Sequence, residues 1–276
     1  MLFPENLYFR RWAAAAMLSF VLGAGEQVAF ADEPDVFGKS TVSETAMMGI
    51  FYDLKQTQDH KPTNVDPATY WKVLDEFLSR NWDEAVLNRY YRTSRPLYTT
   101  QIFIPNMNAN LAPKAFGADK SVKPSRWIIH YKAQVSSPES GTYRFVGGAD
   151  DIIAVAVNGK TVLVSPLHQQ AAQVMPLTNW QTPDFIHAAP FSLCNGDWVE
   201  LKQNQVIDLD VIIGERPGGN FNAFLMIEKQ GGSYEKDARK HEILPIFQVT
   251  AFDTPPPNPG KAPVFSKGYA PWKSYQ

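Results

Sequence analysis

The sequence predicts an all-β protein, an antiparallel β-sandwich or barrel of about eight or nine strands that carries one helical insertion. Apolar and polar residues alternate along several short segments, which is the pattern of half-buried strands. The 17 glycines and 21 prolines cluster between apolar runs, as the turns of a β domain do. A chain of 276 residues with 44% hydrophobic residues contains enough apolar material for one large core or two small ones.

The first 31 residues are interpreted as a signal peptide. Arg10 and Arg11 precede an apolar run at 12–25, which is shorter than the about 20 residues that a membrane-spanning helix needs. Ala29 and Ala31 place small residues at the two positions that a signal peptidase reads. We therefore expect cleavage near Ala31, a secreted or periplasmic protein, and no transmembrane segment in the mature chain. The single cysteine rules out an intramolecular disulfide, which fits export in bacteria.

The mature chain is expected to begin with a flexible leader at 32–47, and a first strand is predicted over 47–54. Asp66 and Pro67 then indicate the start of a helix, because aspartate can cap free amides and proline fits the first turn. The apolar residues that follow have helical spacing: Tyr70, Val73, Leu74, Phe77 and Leu78. We place a helical insertion at about 66–92 and expect it to pack on a sheet without a chemical role.

The clearest strand is predicted over 127–135, where the odd positions face the core and His130 faces outward. A strand is also predicted over 95–104, followed by a polar loop over 105–114. Asn158 and Gly159 indicate a tight hairpin turn, because both turn positions need a positive φ.

Residues 206–213 alternate as another half-buried strand, in which Asp208 and Asp210 are interpreted as a solvated face. A last strand is predicted over 243–250, where Pro245 indicates an edge or a bulge. Residues 251–276 form a C-terminal tail rich in proline and aromatic residues. We expect this tail to dock on the domain or on a partner.

The central stretch, 140–164, combines a strand, a glycine-rich turn with two adjacent aspartates, and a hairpin. The pair Gly147-Gly148 is expected to end the first of these strands and to leave the backbone room to bend. Neighbouring side chains of a strand point to opposite faces, so Asp150 and Asp151 can reach one ion only if the backbone is kinked. In the simpler interpretation, the two carboxylates cap turn amides and stabilise the fold.

This stretch resembles the protective-antigen fourteen-kilodalton (anthrax protective antigen-like) β-sandwich domain family. The resemblance is carried by GTYRF at 141–145, ADD at 149–151 and VAVNGK at 155–160. A later stretch at 199–227 is similar to the second half of that domain. The resemblance covers most of 49–250, interrupted by the helical insertion, and implies a module of the kind found in bacterial toxins, glycosidases and fungal adhesins.

In the carbohydrate-binding branch of that family, a cis peptide joins the two aspartates, which hold a calcium ion that binds sugar hydroxyls. The resemblance therefore implies that Asp150 and Asp151 are metal ligands, that calcium is the cofactor and that a glycan is the ligand. Calcium prefers about six to eight oxygen ligands. We expect Asn220 and Asn222 to supply some of them. The aspartate pair also occurs in family members that bind no sugar, so the capping interpretation stays open.

No pattern in the sequence indicates an enzyme. The five histidines are far apart and do not form a metal-ligand spacing. No Gly-x-Ser-x-Gly nucleophile motif and no glycine-rich phosphate loop is present. The net charge of −2 argues against nucleic acid as a partner.

Two functions remain. The first is a secreted bacterial binding module for carbohydrate, calcium-dependent through the Asp150-Asp151 turn, with a glycan as the ligand. The alternative is a non-catalytic structural or assembly module of the cell envelope that contacts a cell-surface protein, for which the aromatic residues of the C-terminal tail would provide the contact.

Overall fold

The computed structural model describes residues 37–38, 43–166, 193–238, 240–251, 265–266 and 268–275. The predicted signal peptide, most of the leader and residues 252–264 of the tail lie outside the described residues. No helix in the described ranges is both long and apolar enough to cross a bilayer.

The described residues form thirteen β-strands, three α-helices and one 3-10 helix. The strands are β1 (Met47–Asp53), β2 (Tyr91–Arg92), β3 (Leu97–Thr99), β4 (Phe103–Asn108), β5 (Trp127–Ser136), β6 (Gly141–Asp150), β7 (Ile152–Val157), β8 (Lys160–Pro166), β9 (Cys194–Asn195), β10 (Val199–Leu201), β11 (Val206–Glu215), β12 (Asn220–Lys229) and β13 (Lys273–Tyr275). The helices are α1 (Pro67–Ser79), α2 (Glu84–Leu87) and α3 (Ala112–Ala115), with the 3-10 helix at Ala109–Leu111.

The strands form two antiparallel sheets. The first sheet has eight strands in the order β2-β1-β5-β11-β7-β8, with β3 also beside β1 and β13 also beside β5. The second has five in the order β10-β6-β12-β4, with β9 also beside β6. One buried cluster contains side chains of both sheets, including Phe51, Trp127, Phe145 and Phe221. This shared core establishes the predicted all-β sandwich.

The strand count is higher than predicted because five strands have only two or three residues: β2, β3, β9, β10 and β13. Segments this short cannot show a period-two alternation. They form at edges or beside longer strands, where backbone pairing rather than side-chain burial defines them.

The helical insertion covers the outer face of the first sheet. Asp66 caps α1 by accepting from the amide of Thr69 at 2.6 Å, as the Asp-Pro pair predicts. Tyr70 and Phe77 pack in a second buried cluster with Ile128 of β5 and Ile212 of β11. The first sheet is therefore buried on both faces at this end.

The sequence places His130 on the outward register of its strand as either a solvated or a packed side chain, and the structure shows that it is packed. The helical insertion covers that face, with Phe77 and Trp82 against the ring, and leaves His130 only 2% exposed. Its Nε2 lies 2.7 Å from Oδ1 of Asp210, so this aspartate is part of a buried pair rather than of a solvated face. Asp208 remains exposed.

Two strand predictions are wrong in detail. The predicted strand 95–104 is two strands, because β3 pairs with β1 in the first sheet and β4 pairs with β12 in the second. The predicted last strand, 243–250, forms only isolated bridges, among them Met226 with Ile246. The predicted polar loop 105–114 instead continues β4 and forms the 3-10 helix and most of α3.

The C-terminal tail docks on its own domain at two anchors. Phe265 is fully buried on the outer face of the second sheet. Trp272 is 3% exposed and packs edge-on against Tyr143 and Phe247. The described end of the tail then pairs with β5 as β13.

Candidate cation site at the crossing between the sheets

The chain passes from one sheet to the other between Asp150 and Asp151. Strand β6 ends at Asp150 in the second sheet, and β7 begins at the next residue but one in the first sheet. The stretch is therefore a corner between sheets, and β6 runs through Gly147-Gly148 instead of ending there. The Asp150–Asp151 peptide bond is cis.

The end of β11 holds this corner in place. The amide of Asp151 donates to the carbonyl of Gly214 at 3.1 Å, and the amide of Arg216 donates to Oδ2 of Asp151 at 2.6 Å. Glu215 lies between these two contacts in the sequence. The pairing of β11 with β7 thus places a third carboxylate beside the aspartate pair.

Three carboxylates converge at the corner. Asp150, Asp151 and Glu215 each offer one oxygen, and these oxygens all lie within 4.8 Å of one another. Asp151 and Glu215 are buried, with exposures of 1% and 0%, whereas Asp150 is half-buried. The cluster thus has a buried floor and one partly accessible member.

The buried carboxylates carry an electrostatic cost. Neither oxygen of Glu215 has a hydrogen-bond partner in the part of the chain that the structure describes. Burial, together with the charges of Asp151 and Asp150, raises the pKa of Glu215 to about 10. Burial and the charge of Asp150 also raise the pKa of Asp151 to about 7, against the lowering effect of its bond from Arg216. Close like charges of this kind favour either a proton or a cation.

The second sheet contributes an amide oxygen to the same corner. Asn222 lies directly opposite Asp150 in the β12–β6 register and is 2% exposed. Its Nδ2 donates to Oδ1 of Asn106 at 3.2 Å. Among the described residues its own Oδ1 is buried without a partner. Asn220, by contrast, is exposed and lies opposite Asn108 on β4.

The helical insertion forms one wall of this region. The hydroxyl of Tyr70 donates to the carbonyl of Trp127 at 3.3 Å. Burial, with the charges of Asp151 and Glu215, raises the pKa of Tyr70 well above its usual value. The guanidinium of Arg216 lies 5.7 Å from the centre of the Trp71 ring. The insertion therefore covers the sheet and also packs beside the carboxylate cluster.

Glu215 is the residue of this cluster that the sequence interpretation did not select. It continues the inward register of Ile207, Leu209, Val211 and Ile213, all of which are buried. An acidic residue on the inward register of an otherwise apolar strand is the signal that could have identified it.

The residues present fit a hard cation. Calcium is bound by carboxylate and amide oxygens, with about six to eight ligands in total. Glu215 and Asn222 carry buried oxygens that lack a donor among the described residues, and Asp150 and Asp151 add carboxylates beside them. A divalent cation here would offset the burial cost and the repulsion between carboxylates that together raise both pKa values.

No protein-family model and no curated protein matches the chain. Among solved structures, it is similar to a PA14 sugar-binding domain from an RTX adhesin (15% identity, TM-score 0.44, covering 75% of this chain and 97% of that one). It is similar to the PA14 domain of the MpAFP antifreeze protein (15% identity, TM-score 0.42, covering 71% of this chain and 88% of that one). It is also similar to the epithelial adhesin 6 A domain from Candida glabrata, solved in complex with Galb1-3GlcNAc (12% identity, TM-score 0.38, covering 71% of this chain and 85% of that one). These similarities are distant, and the fold is established by the two sheets themselves.

Proposed function

We propose that this protein is a secreted, non-catalytic carbohydrate-binding module that binds its ligand through a calcium ion held at the crossing between the two sheets. The observation that carries the proposal is Glu215, a fully buried carboxylate that has no hydrogen-bond partner among the described residues and lies beside Asp150 and Asp151. Uncompensated buried charge is costly, and a bound cation is a common way in which proteins balance it.

The proposed ligands come from two strands and one corner. Asp150 and Asp151 are carried by the corner, Glu215 by β11 and Asn222 by β12. In this proposal Asn222 and not Asn220 is the amide ligand, because Asn222 is the one opposite Asp150. The cation would supply a positive centre for the oxygens of the bound glycan. The four protein ligands would fix the position of that cation.

The carbohydrate part of the proposal is supported by the resemblance of 141–145, 149–151 and 155–160 to a sugar-binding family. Four protein groups leave part of the coordination shell of calcium open, and vicinal sugar hydroxyls are suited to complete it. Residues 217–220 beside the cluster are exposed, which leaves a ligand access from this side. Membership of that family and export after cleavage near Ala31 are part of the same proposal.

The test is a calcium titration by calorimetry followed by binding to a glycan array, in calcium and in chelator. We expect saturable calcium binding and glycan binding that chelator abolishes. The double variant Asp150→Asn/Asp151→Asn should lose both. Asp59→Asn/Glu200→Gln is the matched control, because it removes two exposed carboxylates outside the site. Absence of calcium binding in the calorimetric titration would contradict the proposal. Glycan binding that survives both chelation and the double substitution would contradict it too.

The alternative role as an assembly module loses part of its support, although Tyr269 of the tail is 39% exposed. The aromatic anchors Phe265 and Trp272 of the C-terminal tail are buried against their own domain. They are therefore not available as a contact surface for a partner while the tail is docked.

A further inference from the structure

A second concave site lies away from the carboxylate cluster, at the open edge of the sandwich beside β1 and β2. It is a cavity of about 500 Å³, which is within the size range of small-ligand pockets. One wall is the segment 93–97 between β2 and β3. The other is 114–121, formed by the end of α3 and the turn after it.

The charged side chains that line this cavity are both basic. Arg95 and Lys114 face it from opposite walls, and no aspartate or glutamate is among its described lining residues. Neither cation lies within ion-pair distance of a carboxylate in the described ranges. Both side chains are exposed in a protein whose net charge is −2. Two unpaired cations around one cavity favour an anionic ligand.

Both walls are held by backbone contacts rather than left as open loops. The amide of Thr93 donates to the carbonyl of Phe51 at 2.9 Å, and its hydroxyl donates to the carbonyl of Arg95 at 3.1 Å. On the other wall, the amide of Gly117 donates to the carbonyl of Lys114 at 2.9 Å. The backbone that carries Arg95 and Lys114 is therefore already ordered before a ligand binds. This order lowers the entropy cost of binding.

The remaining lining suits a sugar ring. The hydroxyl oxygens of Thr93, Ser94 and Ser121 can accept hydrogen bonds from ligand hydroxyls. The apolar floor is formed by Tyr91, which is half-buried, and Phe116, which is 4% exposed. An apolar floor with a polar, cationic rim matches an amphipathic ring that bears an oxyanion.

We propose that this cavity is a second binding site, specific for an acidic sugar unit whose carboxylate or sulfate is bound between Arg95 and Lys114. The guanidinium matches a planar carboxylate by paired hydrogen bonds, and the ammonium adds a compact charge. The proposal rests on the proposed function for the ligand being a glycan, but the site does not use the cation. Acidic glycans would then bind through two subsites, one dependent on calcium and one independent of it.

The cavity and the carboxylate cluster share one structural neighbour. Phe116 lines the cavity, and its ring lies 6.1 Å from that of Phe221. Phe221 stands between Asn220 and Asn222 on β12. The segment that carries Lys114 and Phe116 therefore packs against β12, the strand that also carries Asn222.

In the experiment, the purified protein is titrated in chelator and low salt. Binding is measured by calorimetry or by ligand-observed NMR. The probes are glucuronate, glucose 6-sulfate, glucose and inorganic sulfate. We expect the two acidic sugars to bind and glucose not to bind. The double variant Arg95→Gln/Lys114→Gln should weaken that binding at least about tenfold, as the loss of charge-assisted hydrogen bonds predicts. A preference between glucuronate and glucose 6-sulfate identifies the oxyanion.

The matched control is Lys160→Gln/Lys202→Gln, which removes the same charge from exposed positions outside both walls of the cavity. It should bind like the parent protein. Equal loss in both double variants, or no binding of either acidic sugar, would overturn the proposal. Equal affinity for inorganic sulfate would overturn it too, because it would indicate an adventitious ion only. Acidic-sugar binding in chelator without any calcium binding would support this site and contradict the calcium site alone.

Discussion

The backbone amide of Arg216 donates a 2.6 Å hydrogen bond to Oδ2 of Asp151, which joins the end of β11 to the corner between the sheets. The same strand end carries Glu215, so this bond and the placement of the third carboxylate have one origin. Glu215 itself receives no hydrogen bond from the described residues. Its buried carboxyl makes the corner sensitive to protons and cations.

Substitution of Glu215 by glutamine should have opposite effects on stability and on calcium binding. In the metal-free protein at pH 8, the variant should unfold at a higher urea concentration, because an amide removes the cost of a buried titrating carboxyl. Its calcium affinity, measured by calorimetry, should fall at least about tenfold through the loss of a charged ligand. A variant that is less stable than the parent protein in chelator, yet binds calcium normally, would contradict the assigned role.

Metal-free protein should lose stability as pH rises from about 4 towards 10. The folded-state pKa values of Asp151 and Glu215, about 7 and about 10, lie above their ordinary values. The folded state therefore binds more protons, and the free energy of unfolding falls with increasing pH through this range. At the proposed site calcium would compete with those protons, so the difference in Tm between calcium and chelator should grow with pH.

Melting curves at pH 5, 7 and 9, with calcium and with chelator, measure both trends. The variant Asp151→Asn/Glu215→Gln separates this effect from the titration of other groups and should show a flatter dependence in chelator. A calcium effect on Tm that is largest at pH 5 would contradict the expected competition between protons and the cation.

Gly214 has no room for a side chain. A Cβ at this position would lie 2.2 Å from the hydroxyl oxygen of Tyr70 and 3.0 Å from the carbonyl oxygen of Trp127. Gly214→Ala should therefore destabilise the fold by about 1–3 kcal/mol, the usual range for overpacking. It should also weaken calcium binding, because Glu215 is the next residue.

Tyr70→Phe removes the hydroxyl that causes the closest of these contacts. Chemical denaturation of both single variants and of the double variant forms a double-mutant cycle. We expect the double variant to be more stable than the sum of the single effects predicts. Strict additivity would show that the Trp127 carbonyl, and not Tyr70, limits this space.

Trp272→Ala tests whether the docked tail stabilises the sandwich. Loss of a buried tryptophan costs about 3–5 kcal/mol, and Trp272 packs between Tyr143 and Phe247. Trp198→Ala is the control, because Trp198 is 40% exposed and the guanidinium of Arg144 lies 4.5 Å from its ring centre. Urea denaturation should show a large loss for the first variant and less than about 1 kcal/mol for the second. Equal losses would contradict the anchoring role.

Local patterns in the sequence were sufficient for the elements whose signal lies within a few residues. The alternation over 127–135 predicted β5, and the Asn-Gly pair predicted the turn of the β7–β8 hairpin, where Asn158 and Gly159 have φ of 50° and 76°. The Asp-Pro pair predicted the start of α1. Each of these depends on backbone preferences or on burial that one segment shows by itself.

Features that join distant segments were not visible. The strand predicted over 95–104 divides between two sheets, since its halves pair with β1 and β12, which are far from each other in the sequence. His130 has the outward register of a solvated residue, yet α1 covers it. The coverage of a face depends on which element packs there, and alternation along a strand carries no information about that.

The sequence by itself determined the sandwich fold and the presence of an aspartate pair after a glycine-rich strand. Only the tertiary structure decided that this pair lies at a corner between sheets and that Glu215 and Asn222 join it. The physical reason is that β-strands are paired by backbone hydrogen bonds over long sequence separations. The register of β11 with β7 and of β12 with β6 brings together oxygens that no local spacing connects.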